Sequence, residues 1–522
     1  MSRAVFFVFL LLGSSCAMKV CPSTVISVLE AANVLRTCPA DGAVSACCTA
    51  LKTSPLAEQV SYPSNPAYHT SLSTFWRADI QQTYPACIVQ PRNTEDVSLT
   101  LSILVESNDN TPRCQFSIRS GGHGTVLGST NREYGVTVDL SLLNSTVYNP
   151  EAGTASIGPG ARWKGVYTAL AEYGVAVPGG RGGTVGVGGF VTGGGNSFHS
   201  ARYGFTCDAV VNFEIVLASG AIIHANETSH PTLFKSLKGG SGNFGIVTRF
   251  DIETFPSTDL WGGIVVYEHA STVDSQVDAL VQFTANVHRD PNASLIPLYT
   301  YKSEVGVPLI VNSFVYAEPV AYPDAFGAFY ALPNVSDSMR FTGVEGLVGE
   351  LEPEAGLHNN FFTLTFANDP AILKKAISIH DRMIEETKKR ARSESWSIIS
   401  LFQPLPRLFA ELGQKKRGGN VLGLDEKGDY ILDLLWLTWD DVEDTELFDW
   451  IGETFVAELD EFARSVGGDY PYVYLNYAAG NQDPLRSYGA ENLEFMQRVA
   501  EKYDPLGVFQ EQVPGGFKVT KA

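Results

Sequence analysis

The sequence predicts an α+β protein made of two packed substructures, and three observations carry that expectation. Its 522 residues exceed what one ordinary core needs. From Tyr84 onward, short strand patterns alternate with helical ones. After Pro256 the strands lengthen and fill with β-branched and aromatic residues, and long helical stretches separate them.

Taken in chain order, the N-terminus reads as a processing signal. Arg3 supplies a positive start, residues 5–12 an apolar run, and Ser15-Cys16-Ala17 small residues for cleavage near Ala17. The run is too short to span a bilayer, so a secreted or secretory-lumen protein is expected. Residues 18–78 read as a cysteine-containing helical arm. Residues 79–255 form the alternating domain: extended at 87–90, helical over 94–106 behind an Asn93 cap, and extended at 115–119, ending in glycines. Strands follow at 135–140, 154–158 and 175–178, with an amphipathic helix over 162–173, a hairpin at 210–225 and a closing strand at 244–255. Residues 256–466 carry strands at 264–267, 296–302, 308–316, 361–366, 397–403 and 430–439, with helices over 370–390 and 441–465, and predict one sheet backed by helices. The tail, 467–522, has an extended 472–477 and a helix over 490–503.

Composition narrows the function. Fifty-seven acidic residues against 37 basic ones leave a net charge of −20, a surface that repels nucleic acid and anionic membranes. Sequons at Asn144, Asn226, Asn292 and Asn334 agree with export. After removal of Cys16 seven cysteines remain, an odd number, so disulfides leave at least one thiol free. No HExxH spacing or paired CxxC supports a metal site.

The chemistry concentrates between Ser120 and Gly245, in Gly121-Gly122-His123-Gly124, Gly158-Pro159-Gly160, Gly179-Gly180-Arg181-Gly182-Gly183, Gly186-Val187-Gly188-Gly189, Gly193-Gly194-Gly195 and Gly239-Gly240-Ser241-Gly242-Asn243-Phe244-Gly245. Each glycine costs folding entropy. So dense a field fits backbone that approaches a large anionic cofactor closely and donates bare N–H groups to it. A Rossmann fingerprint fails, because residues 240–245 run on into a strand rather than a helix, and no P-loop string occurs. His123 follows two glycines at a strand end, where a nucleophilic imidazole reaches a ligand unhindered.

At these residues the chain resembles the FAD-linked oxidoreductases of the berberine-bridge-enzyme-like group, which share the PCMH-type, vanillyl-alcohol-oxidase fold. The matching strings are Arg119-Ser120-Gly121-Gly122-His123, Ile157-Gly158-Pro159-Gly160-Ala161, Thr184-Val185-Gly186-Val187-Gly188-Gly189 with Gly193-Gly194-Gly195, Arg202-Tyr203-Gly204, residues 243–248, and Tyr474-Leu475-Asn476-Tyr477 followed by Tyr503-Asp504-Pro505. The resemblance implies a two-part FAD-binding domain, a substrate domain with an antiparallel sheet, and a tail that returns to the flavin. It implies FAD bonded to His123, held by Arg119, Ser120, Gly121, Gly122, Gly124, Thr184, Val185, Gly186, Gly188, Gly189, Gly193, Gly194, Ile246 and Val247, with Asn476 and Tyr477 at the ring. Where relatives carry a second, cysteinyl link, this chain has Gly182, so a single covalent bond is expected. Cys207 does not occupy that slot and reads as a buried apolar residue.

Val185 is small, which in the family accompanies oxygen access and favours an oxidase releasing hydrogen peroxide. Candidate proton acceptors or substrate-orienting groups are Asp433, Tyr474, Gln403 and Tyr301; burial among apolar neighbours would raise the Asp433 pKa. The resemblance points to a monomer that oxidises a secondary-metabolite alcohol, with a carbohydrate oxidase as the alternative. A catalytically inactive secreted binding protein is the reading of another class.

Overall fold

The computed structural model describes residues 41–106, 114–352 and 354–522. The expected signal segment, Cys21 and Cys38 lie outside the described residues. Mixed helices and mostly antiparallel sheets bear out the α+β class.

The first sheet holds β1 (Val60–Ser61), β2 (Cys87–Val89), β3 (Phe116–Arg119) and β4 (Val136–Asp139) in the order β1-β2-β4-β3. Its β2–β4 and β3–β4 pairs are parallel, and every β4 residue is buried, as parallel pairing requires. Disulfides Cys47–Cys114 and Cys48–Cys87 tie helix Asp41–Thr53 to this layer, and Cys207 is a buried free thiol. The second sheet is antiparallel: β5 (Thr146–Asn149), β6 (Thr154–Ile157), β7 (Val210–Val216), β8 (Ile222–Asn226) and β9 (Ile246–Glu253), in the order β5-β6-β9-β7-β8.

The large sheet is antiparallel throughout. Its long strands are β10 (Leu260–Glu268), β11 (Ala293–Lys302), β12 (Leu309–Tyr316), β13 (His358–Ala367), β14 (Trp396–Leu405) and β15 (Tyr430–Trp439), in the spatial order β10-β12-β11-β14-β15-β13. Nine of the ten β15 residues are buried, because both faces are covered. Helix Pro370–Arg390 shows why the backing helices form. Asp369 caps it by accepting from the Ala371 N–H at 2.6 Å, Pro370 fits the first turn, and Lys388, Lys389 and Arg390 complement the dipole at its end.

Side-chain alternation splits this sheet into two faces. Ile398, Phe402, Leu435 and Leu437 join the main core with helix residues Ile377, Met383, Ile451 and Phe455. Ile296, Leu298, Ile399, Leu401, Leu434 and Trp436 form a separate cluster on the opposite face, together with Trp76 from the N-terminal arm.

Local expectations differed in two places. The tail at 472–477 is not a strand: Leu475–Tyr477 forms a tight turn, because Asn476 Nδ2 donates to Phe190 O (3.0 Å) and to Tyr474 Oη (3.0 Å), bonds a straight segment does not reach. Within the glycine field, where no element was expected, Val187–Thr192 is a short helix.

Candidate active site

A cavity of about 410 Å³ opens between the glycine loops, the tail and the free face of the large sheet. At its edge, β3 ends in Arg119 and the chain turns through Ser120-Gly121-Gly122 to His123. Gly121 and Gly186 are in backbone contact: a Cβ on Gly121 would sit 2.5 Å from Gly186 Cα, so neither loop tolerates a side chain there. Ser120 fastens the crossing, donating to Pro159 O (2.5 Å) and accepting from Gly188 N (3.1 Å).

His123 lines the cavity with its Nε2 3.0 Å from Thr184 Oγ1 and its ring parallel to Trp76 (centroids 5.5 Å, 5° between planes). Burial, then the Arg162 and Arg119 charges, push its pKa down to about 3. The imidazole is therefore neutral and keeps a lone pair, the form a nucleophile needs. Arg162 itself donates to Thr184 O, and Glu352 accepts from Thr184 N.

Most of the expected cofactor residues border the cavity: Ser120, Gly121, Gly122 and Gly124; Val185, Gly186, Gly188 and Gly189; Ile246 and Val247; Asn476 and Tyr477. Arg119 does not. Its guanidinium donates to Ser71 O (2.7 Å), Ser71 Oγ (2.9 Å) and Thr74 Oγ1 (2.6 Å), lies 3.6 Å from Asp139 and covers the Phe75 ring, so it anchors helix Pro66–Ser73 instead. Thr184 acts through His123. Gly193 packs on Asn476, and Gly194 lies against Tyr474 and Leu422.

The four candidate proton-handling residues separate cleanly. Gln403 and Tyr474 line the cavity. Asp433 and Tyr301 face the helices: Asp433 is paired only with Ser400 Oγ (3.1 Å), and Tyr301 stacks on Trp396 (5.0 Å). Burial holds the Asp433 carboxyl well above its usual range, as expected, but one residue of strand register places it on the wrong face. Tyr474 Oη accepts from Gly195 N (3.1 Å), Asn196 N (2.9 Å) and Asn476 Nδ2 (3.0 Å), and burial raises its pKa.

Three wall residues escaped the sequence reading. Trp76 comes from the arm, where nothing local marks it. Arg181 reaches across the cavity, its Nη2 donating to Gln403 Oε1 (2.5 Å) and Tyr477 Oη (3.0 Å). Lys518 is buried in the tail with its pKa lowered to about 7, chiefly by burial. It is held there because Asn243 binds both neighbours: Asn243 Nδ2 donates to Phe517 O (3.0 Å), and Val519 N donates to Asn243 Oδ1 (3.3 Å).

The wall fits a large anionic cofactor. A Cβ on Gly189 or Gly242 would meet no protein atom within 4 Å, so bare backbone faces open space where the protein itself does not demand it. Lys518, among the described residues, has no carboxylate at ion-pair distance, as a site for a diphosphate would require. Fold and site together define a flavin-dependent oxidoreductase. Residues 85–226 match the FAD binding domain family model. The chain is 42% identical over 480 residues to the FAD-dependent monooxygenase drtC of Aspergillus calidoustus, covering 92% of this chain and 91% of that protein. It is 44% identical over 479 residues to the FAD-dependent monooxygenase sdcF of Emericella nidulans, covering 91% and 98%. Among solved structures it is similar in fold to 6-hydroxy-D-nicotine oxidase from Arthrobacter nicotinovorans (TM-score 0.71, 20% identity, 86% of this chain and 96% of that one). A second is the xylooligosaccharide oxidase of Myceliophthora thermophila (TM-score 0.70, 22% identity, 90% and 98%). The chain belongs to the same family of FAD-dependent oxidoreductases as the two fungal monooxygenases.

Proposed function

We propose that this enzyme carries FAD on a single covalent bond to His123 and oxidises an alcohol of a small organic molecule to the carbonyl. The observation that carries the reading is the neutral His123 imidazole, fixed by Thr184 and Trp76 on a wall of bare backbone. In the tautomer that carries the proton on Nε2, facing Thr184 Oγ1, Nδ1 is the free nucleophilic atom. Gly182 offers no thiol for a second link. Bound FAD would supply the hydride acceptor and pass the electrons to molecular oxygen, releasing hydrogen peroxide.

The chain's own residues divide the remaining work. Residues 79–255 hold the cofactor, 256–466 present the substrate wall, and 467–522 bring Tyr474, Asn476 and Tyr477 back to it. Tyr474 is assigned as the acceptor of the substrate hydroxyl proton in its phenolate form: three N–H donors surround its oxygen and would stabilise that charge against the burial that raises its pKa. Gln403 orients the substrate. Asn144 and Asn334 are exposed, whereas Asn226 and Asn292 are partly buried with their amides already donating, so glycans are assigned to Asn144 and Asn334 of an exported protein cleaved near Ala17.

The test is a denaturing gel inspected for flavin fluorescence, followed by the mass of the peptide containing His123. The expected result is a fluorescent band and a flavin adduct that His123→Ala abolishes; a colourless polypeptide overturns the reading. The names of the two fungal relatives favour a second reading, oxygen insertion. Labelled dioxygen decides between them: label in the product supports insertion, and stoichiometric peroxide with unlabelled product supports the oxidase.

A further inference from the structure

We infer that the substrate is a largely apolar, ring-bearing molecule with a single acidic oxygen, bound as an anion against Arg181. This rests on the cavity being the active site proposed above and goes on to name what fills it.

The sheet side of the cavity is hydrocarbon. Ile296, Leu401, Leu434, Trp436 and Phe361 border it, each from an alternating position on four adjacent strands. Trp76 extends the surface, its ring 6.2 Å from Trp436 and 5.4 Å from Phe361. An oligosaccharide laid on this wall would leave hydroxyl after hydroxyl without a partner, and unpaired polar groups oppose binding. Flat apolar rings lose nothing there and gain aromatic contact.

One polar feature interrupts that wall. The Arg181 guanidinium has only neutral partners, Gln403 Oε1 and Tyr477 Oη, and among the described residues no carboxylate lies at ion-pair distance from it. A cation lining an apolar cavity without a counter-ion is costly unless a ligand brings the negative charge. Gln403 gives the second observation. Only its carbonyl oxygen can face an arginine, which leaves Nε2 as the free end, and that atom is buried without a hydrogen-bond partner in a side chain 1% exposed. A guanidinium without a counter-ion and an amide N–H without an acceptor thus sit on two bonded residues that both line the cavity. Two adjacent donors, one of them charged, suit an oxygen that ionises: a phenol, an enol or a carboxylate.

The test is calorimetric titration of the flavin-loaded enzyme with matched probes. 2-Naphthoate against 2-naphthamide reads a carboxylate source, 2-naphthol against 2-methoxynaphthalene reads a phenol source, and cellobiose reads a sugar. At least one acidic probe should bind about tenfold tighter than its neutral partner, with no measurable heat from cellobiose. Arg181→Gln should abolish that preference while flavin fluorescence on the gel stays at the wild-type level, and Arg181→Lys should restore part of it. Equal binding of acidic and neutral probes, tighter binding of cellobiose, or loss of flavin in Arg181→Gln overturns the inference. The covalent reading fails on a different readout, absence of the His123 adduct, so the two failures are told apart.

Discussion

A methyl group at Gly189 and one at Gly121 meet different surroundings, and the contrast tests why this wall is bare. Gly189 lies in helix Val187–Thr192 and borders the cavity, and its Cβ would have no protein atom within 4 Å. Alanine is favoured over glycine in a helix by about 1 kcal/mol, so Gly189→Ala should stabilise the cofactor-free polypeptide by up to that amount. The same methyl occupies space assigned to FAD, so flavin content should fall. At Gly121 the new Cβ would stand 2.5 Å from Gly186 Cα, and the two loops must part by roughly 1 Å to restore ordinary contact. Such overpacking costs about 1–3 kcal/mol. Parting also lengthens the 3.0 Å His123–Thr184 bond beyond useful reach, so attachment should fail as well. Urea unfolding paired with flavin fluorescence on denaturing gels reads both quantities. Wild-type flavin content in Gly189→Ala would refute the claim that glycine is used there to admit a cofactor.

Three further outcomes follow from the same geometry. Asp433→Asn should leave flavin reduction intact, because a protonated carboxyl on the helix-facing side is replaced by a near-isostere; a hundredfold slower anaerobic reduction, an effect of about 3 kcal/mol, would return Asp433 to the catalytic set. His199 is buried, and burial followed by the Arg202 charge pushes its pKa down to about 3. The unfolded chain takes up a proton below about 6.5 that the folded one refuses, so stability falls as pH drops, by about 2 kcal/mol at pH 5. His199→Phe should remove that part of the slope between urea titrations at pH 7 and pH 5, and an unchanged slope would show the imidazole already charged in the fold. The Cys48–Cys87 bridge closes a sequence separation of 39 residues, so replacing both cysteines by serine should cost about 4 kcal/mol on the chain-entropy account; an unchanged urea midpoint argues that the bridge is absent in solution.

The long periodic elements were legible before any coordinates. Helix Pro370–Arg390 and strand Tyr430–Trp439 were read with their observed ends, because capping residues bound the first and an unbroken apolar run defines the second. That same unbroken run hid the Asp433 error. A strand covered on both faces shows no polar alternation, so nothing local says whether Asp433 or Leu434 looks into the cavity. The Tyr301 error has the same origin on β11. Arg119 was misread for another reason: its partners Ser71 and Thr74 lie more than 40 residues upstream, and a cation beside a glycine loop carries no mark of that. His123 and the glycine strings were visible because they are consecutive. Trp76, Arg181 and Lys518 belong to the wall only through contacts made at long range.

Those long-range contacts converge on one turn, and that convergence accounts for its composition. Between Gly179 and Gly189 the backbone meets Gly121 at Gly186 and holds His123 through Thr184, 61 residues away. From the same turn Arg181 reaches Gln403, 222 residues on, and Tyr477, 296 residues on. A segment that touches the cofactor loop, the substrate wall and the tail within a few residues has no room for side chains that point nowhere. Glycine therefore fills all the other positions from Gly179 to Gly189, and the four side chains that remain, Arg181, Thr184, Val185 and Val187, have a partner, a cavity or the core to face. Conformational cost is accepted at this turn because it fixes the spacing between the neutral imidazole and a guanidinium that has no counter-ion among the described residues. Changes to the backbone of this turn should consequently alter flavin attachment and substrate binding together, Arg181→Gln should alter substrate binding alone, and changes on the helix-facing side of the large sheet should alter stability alone.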